Sequence, residues 1–171
     1  MKLEYKYLLE ENLHPDSRAW VFQSNRQFTA DEALQLEEML QNFLKEWKSH
    51  GAPVKGAAHL LFRQFIILMA DHTRDGLCGS SADNSTIMLK KIEKHFSVNL
   101  FDRTMLAFAV NEKVELLPMS QLQYAVDNGF IKEDTLYFNN LVSSKKELEN
   151  NWIIPVKESW LTRTISLSQP A

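Results

Sequence analysis

The sequence predicts an α/β (α+β) fold, a single-domain sandwich in which helices cover a mixed β-sheet. Apolar runs of strand length alternate along the chain with amphipathic helical patterns, the order expected of a sheet with helices packed on it. Two of these runs are separated by only two polar residues, which predicts a hairpin and argues against a purely parallel sheet. The 171 residues fit one domain, 1–171, and a hydrophobic content of 44% is enough for a packed core.

The first half of the chain carries strong strand signals around one well-capped helix. Residues 1–17 are expected to form an N-terminal extension or helix, and "RAWVFQSN" then predicts a buried strand with a polar carboxyl end. Thr29 and Glu32 have the spacing of a capping box, so a helix should begin there and end at "SHGAP". The run "AAHLLFRQFIILMAD" predicts one central strand, or two strands with a bend near Arg63.

The second half predicts a helix, a hairpin, a further strand and a short helix. The helix should begin at about Asp83. The runs "TMLAFAV" and "KVELLPM" flank Asn111 and Glu112, a connection typical of a hairpin. "DTLYFNNLV" predicts another strand, and a second capping box begins at Ser144. Residues 161–171 are expected to form a loose tail.

Composition excludes several classes of partner. Lys plus Arg is 19 against Asp plus Glu 22, a net charge of −3, so we expect no nucleic-acid partner. The longest apolar run, "FIILMA", is far shorter than the ~20 residues that span a bilayer, so we expect no membrane partner. The charged start does not resemble a signal peptide and the single cysteine suits a reducing compartment, which predicts a cytoplasmic location. The oligomeric state is left open.

Motif tests argue against two kinds of catalytic site. A P-loop needs GxxxxGK[ST], so that backbone N–H groups and one lysine surround the phosphates. The nearest stretch, "GAPVKGA", has Ala57 where the lysine should be, so P-loop ATPase activity is not expected. The 5 histidines show no HxH or HExxH spacing, and we predict no metal site and no cofactor. His59, in an apolar strand, is interpreted as a core histidine with its hydrogen bonds satisfied.

The stretch "DHTRDGLCGSSADNST" is the most site-like part of the sequence. Cys78 lies just ahead of a predicted helix, where the positive end of the helix dipole favours a thiolate, so it is a candidate nucleophile. His72 is near it in the chain, and Asp71 is a second candidate for a hydrolase. The alternative is a glycine-containing turn that only starts the helix.

Polar residues after the predicted strands form a second candidate site. Ser80, Ser81 and Asp83 exceed what one helix cap needs, and hydroxyls beside free N–H groups suit an anion. If the first two strands are parallel neighbours, Arg26 lies close to Asp71, as an ion pair or as part of a polar site. We therefore expect a small polar or anionic ligand, or a partner protein, at the strand ends. The expected binding residues are Gln23, Ser24, Asn25, Arg26, Asp71, Ser80, Ser81 and Asp83. A hydrolase that uses Cys78 or Asp71, or a structural interaction protein, is the alternative.

Six short motifs in order carry a family resemblance: "QSNR", "HGAPVKG", "LMAD", "GSSAD", "LFDR" and "FNNLV". Together they resemble a family of small uncharacterised bacterial proteins often labelled "ABC transporter ATPase", over roughly Trp20 to Trp160. The chain has neither a Walker B strand nor an LSGGQ-like signature, so the ATPase label has no chemical support in its sequence. In the family pattern a cysteine follows the glycine where this chain has Ser80. Here Cys78 precedes Gly79, which argues against a thiol nucleophile.

Overall fold

Two antiparallel sheets pack face to face, and most of the described helices lie on their outer faces. The computed structural model describes residues 3–72 and 79–167, without the side chains of residues 79–81. The helices are α1 (Ala30–Glu46), α2 (Gly79–Phe96), α3 (Leu122–Asp127) and α4 (Lys145–Asn151). The strands are β1 (Arg18–Gln23), β2 (Lys48–Ser49), β3 (Ala52–Pro53), β4 (Gly56–Leu61), β5 (Phe65–Ala70), β6 (Met105–Val110), β7 (Lys113–Pro118), β8 (Leu136–Phe138) and β9 (Ile153–Pro155).

The strand order confirms the α+β class. The first sheet has the order β1-β5-β4, the second has β7-β6-β8-β9, and β2 and β3 form a small ribbon. Every strand pair among the described residues is antiparallel, so the parallel pairing expected of a mixed sheet is not found there. Tight loops join β4 to β5 and β6 to β7, and such loops can connect only antiparallel neighbours.

The predicted hairpin is confirmed at Asn111 and Glu112. Val110 pairs with Lys113, and both loop residues have positive φ, 48° and 60°, as a type I′ turn requires. The start of the helix predicted from Thr29 is also confirmed, with both hydrogen bonds of its capping box present, but the helix ends at Glu46, before the predicted end at "SHGAP", where Lys48–Ser49 forms a strand instead. Local signals of a few residues therefore fix these two elements.

Three apolar clusters fill the spaces between the layers. One joins the outer face of the first sheet to α1 and α2, through Leu36, Ile66 and Ile92. The middle cluster lies between the two sheets, where the rings of Phe65 and Phe138 stack with centroids 4.7 Å apart. The third joins the outer face of the second sheet to α3 and the last described residues. Among the described helices, none is long and apolar enough to cross a membrane.

The N-terminal segment is part of the middle cluster rather than a separate extension. Within residues 3–17 the only helical piece is the 3-10 turn Lys6–Leu8, while Tyr5, Leu9 and Leu13 are buried between the sheets. The Tyr5 hydroxyl donates a hydrogen bond to the carbonyl oxygen of Leu148 in α4, at 2.5 Å. Burial raises the pKa of Tyr5 to about 12, with a smaller contribution from the charge of Glu149.

The described part of the C-terminal tail is packed, which corrects the expectation of a loose tail. Leu161 is fully buried, and Ile165 and Leu167 pack against the third cluster. The Gln123 side chain accepts a hydrogen bond from the backbone N–H of Ser166, at 2.9 Å. Residues 161–167 therefore cover the outer face of the second sheet.

Candidate functional site

The segment Gln23–Arg26 follows β1 and fastens the end of that strand to its neighbours. Ser24 is fully buried; its N–H donates to the Gln64 carbonyl at 2.8 Å, and the Gln64 side chain donates back to the Ser24 carbonyl at 3.1 Å. Asn25 and Asn99 exchange two hydrogen bonds, at 3.1 Å and 2.8 Å. These bonds tie the end of β1 to the β4–β5 loop and to the segment after α2.

Arg26 is committed to an internal ion pair. Its guanidinium donates two hydrogen bonds to Glu32 in α1, at 2.8 Å and 2.9 Å, and a third to the Phe96 carbonyl at the end of α2. The hydrogen bond from Arg26, followed by that from the Thr29 backbone, lowers the pKa of Glu32 to about 2. Arg26 therefore joins the two helices, and its role as a charge clamp for a ligand stays a prediction.

Asp71 lies at the other end of the first sheet, which corrects the assumption of parallel neighbours. Because β1 and β5 are antiparallel, Ala70 pairs with Arg18 at the start of β1, whereas Arg26 follows its end. Asp71 Oδ2 is 3.8 Å from the Lys55 ammonium instead. His72 follows it and is half-buried. The structure therefore does not bring Arg26 and Asp71 together.

The serine-rich stretch is already helical, because α2 begins at Gly79 rather than at Asp83. Inside the helix, the hydroxyls of Ser85 and Thr86 donate to the Ala82 carbonyl, at 2.7 Å and 3.0 Å, so they do not serve as caps. Asp83 is exposed. The side chains of Ser80 and Ser81 and the whole of Cys78 lie outside the described residues, so the expectations about them stay predictions.

Gln23 differs from its neighbours because its side chain crosses to the second sheet. Its Nε2 donates to the Met105 carbonyl at 3.1 Å, and its Oε1 accepts from Asn140 Nδ2 at 2.9 Å. Asn140 Oδ1 in turn accepts from the indole N–H of Trp152, at 3.0 Å. We refer to these three linked side chains as the Gln23–Asn140–Trp152 relay. It holds the end of β1 at a fixed distance from β6 and from the segment after β8.

An inter-sheet cleft of about 210 Å³ lies beside this relay. Its lining comes from β1, from β6 and β8, from the loop after α2 and from residues 140–141; we call the side with the exposed residues Asp102, Arg103 and Leu141 its mouth. Its lining residues are Val21, Phe22, Gln23, Leu100, Phe101, Asp102, Arg103, Met105, Leu106, Ala107, Met119, Tyr137, Phe138, Asn140, Leu141 and Trp160. The walls are therefore mostly apolar and aromatic, with a fixed amide pair at one side.

Two charged residues stand at the mouth of the cleft. Asp102 Oδ1 accepts hydrogen bonds from the backbone N–H and the hydroxyl of Thr104, at 2.8 Å and 2.6 Å. These bonds lower the pKa of Asp102, the hydroxyl contributing most, so the carboxylate is ionised at neutral pH. Arg103 is exposed and forms no hydrogen bond or ion pair within the described part of the chain. Its guanidinium is thus available to a group that enters the cleft.

Two exposed apolar side chains continue the surface beyond the mouth. Leu141 is 60% exposed and Met119 is 40% exposed, and both line the cleft. Single exposed apolar residues are common on protein surfaces. Two of them flanking an apolar recess form a connected surface, and such surfaces often mark interaction sites.

Two other recesses occur in the described residues. An open groove of about 420 Å³ between α1 and α2 is lined by Met39, Phe43, Trp47, Ile87 and Met88, among others. A recess of about 220 Å³ lies beside His59. No three described His, Cys, Asp or Glu side chains are grouped so as to hold a metal ion.

His59 differs from the satisfied core histidine that the sequence suggested. Its Nε2 is buried and has no hydrogen-bond partner among the described residues. Burial lowers the pKa of His59, and the negative charge of Glu10 opposes that shift. The imidazole is therefore held in its neutral form over a wider pH range than an exposed histidine.

Sequence reasoning placed only Gln23 on the cleft and missed Arg103, Met119, Asn140 and Leu141. A local signal existed for part of the mouth. In "FDRT", Asp102 accepts a hydrogen bond from the backbone N–H of Thr104, two positions later, as Asp often does in a turn. This turn directs the side chain between them, Arg103, outward. The paired asparagines of "FNNLV" follow a strand, as do the polar residues from Gln23 to Arg26. Comparison with family models, curated proteins and solved structures found nothing that matches this chain.

Proposed function

We propose that the protein is a binding module whose inter-sheet cleft holds a group with an apolar body and an anionic end beside Arg103. The observation that carries this proposal is the Arg103 guanidinium, which has no partner among the described residues and stands at the mouth of a preformed, mostly apolar cleft. A guanidinium presents a rigid fork of N–H donors that matches a carboxylate. A pocket that is apolar with a few fixed polar groups is the usual form of a ligand site.

The relay supports binding because it fixes the cleft before any ligand arrives. Trp152 is fully buried, and its N–H holds Asn140, which in turn holds Gln23. A recess whose walls are already ordered costs little conformational entropy when it is filled. The sequence predicts a ligand at the ends of the strands, near both Arg26 and Asp71. The proposed site is also at a strand end, but it is the carboxyl end of β1, which is far from Asp71.

The methionines provide a direct test. Met105 and Met119 line the cleft, whereas Met39 and Met88 line the α1–α2 groove, and Met69 is buried in the first sheet. In a protein labelled with ¹³C at the methionine methyl groups, N-acetyl-leucine should shift the signals of Met105 and Met119 and leave the others in place. The uncharged N-acetyl-leucinamide should bind more weakly.

Two variants separate the cleft from non-specific binding. Arg103→Gln should remove the preference for the acid over the amide, because it removes the cation and leaves the apolar walls. Arg63→Gln changes an exposed arginine in the β4–β5 loop and should have no effect. Shifts at Met39 and Met88 alone, or none at any methionine, would overturn the proposal.

The proposal also includes a cytoplasmic location and the family resemblance, which rest on sequence features alone. One cysteine in 171 residues is the composition of a protein that does not rely on disulfides. The ordered motifs from "QSNR" to "FNNLV" support membership of the bacterial family described above. Both "LFDR" and "FNNLV" contribute residues to the cleft.

A further inference from the structure

The shape of the cleft indicates what kind of molecule occupies it. Its volume is about 210 Å³. Cavities that enclose a whole drug-sized ligand are larger, about 300–1,000 Å³. The cleft is therefore suited to one large apolar side chain rather than to a complete cofactor or nucleotide.

The apolar surface extends beyond what such a side chain would cover. Leu141 and Met119 stand on the rim, where they are 60% and 40% exposed. A free amino acid would contact only the parts of these side chains that line the cleft and would leave the rest in water, whereas a polypeptide segment that continues across the mouth would cover them. Met is enriched at protein interfaces, and its flexible thioether adapts to different partners.

The charges at the mouth restrict the partner further. Arg103 has no partner in the described residues, while Asp102 beside it is ionised and fixed by Thr104. One carboxylate can pair with the planar guanidinium, and the negative charge of Asp102 disfavours any further anionic group beside it. The charge pattern therefore complements a single acidic side chain close to the apolar anchor.

Resting on the proposed function, we propose that the natural ligand is an acidic peptide segment of a partner protein. A Leu, Met or Phe of that segment enters the cleft, and an adjacent Asp or Glu pairs with Arg103. The segment covers Met119 and Leu141 as it crosses the mouth.

Nine-residue peptides, acetylated and amidated so that no terminal charge remains, test this assignment. One has a central Leu with a Glu next to it, and the matched peptides replace Leu by Ala or Glu by Gln. By fluorescence polarisation the Leu–Glu peptide should bind at least about tenfold more tightly than N-acetyl-leucine, since it also covers the rim. Replacing either residue should weaken binding by about tenfold.

Variants of the protein locate the two contacts. Arg103→Gln should weaken the Leu–Glu peptide about tenfold and flatten its salt dependence, and should leave the Gln peptide unchanged. Leu141→Ser should weaken the peptide by a larger factor than it weakens N-acetyl-leucine, because the peptide also covers the part of Leu141 that lies outside the cleft. Leu34→Ser, at an exposed leucine of α1, is the matched control and should change neither.

The outcomes distinguish this inference from the function on which it rests. If N-acetyl-leucine shifts the Met105 and Met119 signals but the peptides bind no more tightly than it does, the binding module stands and the peptide partner is wrong. If neither probe shifts these signals, both proposals fail. Concentration-dependent dimerisation that Leu141→Ser abolishes would assign the surface to a second copy of the chain and overturn the peptide assignment.

Discussion

Replacing Asn140 by Ala should destabilise the protein by about 2–3 kcal/mol. The substitution leaves the Trp152 indole N–H and Gln23 Oε1 without the partners they have now. Each buried polar group that loses its partner costs about 1–3 kcal/mol. Trp152 is fully buried and cannot turn its N–H to solvent, so it should bear the full cost. Gln23 borders the cleft, where water can replace Asn140, so its share should be small.

Urea unfolding followed by tryptophan fluorescence measures this loss directly. For a chain of 171 residues, 2–3 kcal/mol corresponds to a decrease in Tm of about 4–12 °C. Asn150→Ala is the matched control, since among the described residues the Asn150 side chain bonds only to an exposed carbonyl of its own helix, and it should change stability by less than about 0.5 kcal/mol. A cycle with Gln23→Ala should show coupling of at least about 0.5 kcal/mol. A loss below about 1 kcal/mol for Asn140→Ala would refute the reasoning that the relay holds the two sheets in place.

Three further predictions concern other parts of the fold. Burial lowers the pKa of His59 in the folded state, so as the pH falls below 6.5, the ordinary pKa of histidine, the unfolded chain takes up a proton first and the free energy of unfolding should decrease. His59→Leu should flatten this pH dependence when it is measured by urea unfolding below pH 6.5. The pKa of Glu32 is lowered from 4.5 to about 2, so its carboxylate should stabilise the fold fully above pH 4.5 and lose that effect as the pH falls towards 2. The difference in the free energy of unfolding between the native protein and Glu32→Gln should therefore become smaller in acid. Gly56→Ala should lower the free energy of unfolding by about 1–3 kcal/mol, because the new Cβ would lie 2.8 Å from the Met69 carbonyl oxygen and 2.8 Å from the Trp47 ring. Thermal denaturation measures this loss, and an unchanged Tm would contradict the packing.

The elements that sequence predicts best are those that depend on a few neighbouring residues. The capping box of α1 needs only Thr29 and Glu32, three positions apart, and the β6–β7 hairpin needs only its two-residue loop between apolar runs. Both are confirmed. The prediction that α2 starts at about Asp83 is wrong, because the serines and Asp83, residue types that favour caps, already belong to a helix that begins at Gly79.

The candidate site was less predictable because it depends on distant contacts. Gln23 bonds to a residue 82 positions away and to another 117 positions away, and no periodicity in the sequence encodes either contact. The expected approach of Arg26 to Asp71 depended on the direction in which β1 pairs with β5. Two uninterrupted apolar runs carry no information about that direction. The antiparallel pairing therefore reversed the expected geometry while leaving the fold class intact.

The hydrogen bond from Tyr5 to Leu148 joins residues that are 143 positions apart, and it bears on how the chain folds during synthesis. The first sheet with α1 and α2 uses residues from Arg18 to Leu100 and can assemble early. Its inner face, however, is covered by Tyr5, Leu9, Phe138 and Trp152, so the middle layer closes only after α4 has left the ribosome. Long-range closure of this kind is slow compared with local helix and hairpin formation. We expect nascent chains that lack α4 to present an apolar sheet face to solvent, a surface on which chaperones or aggregation would act.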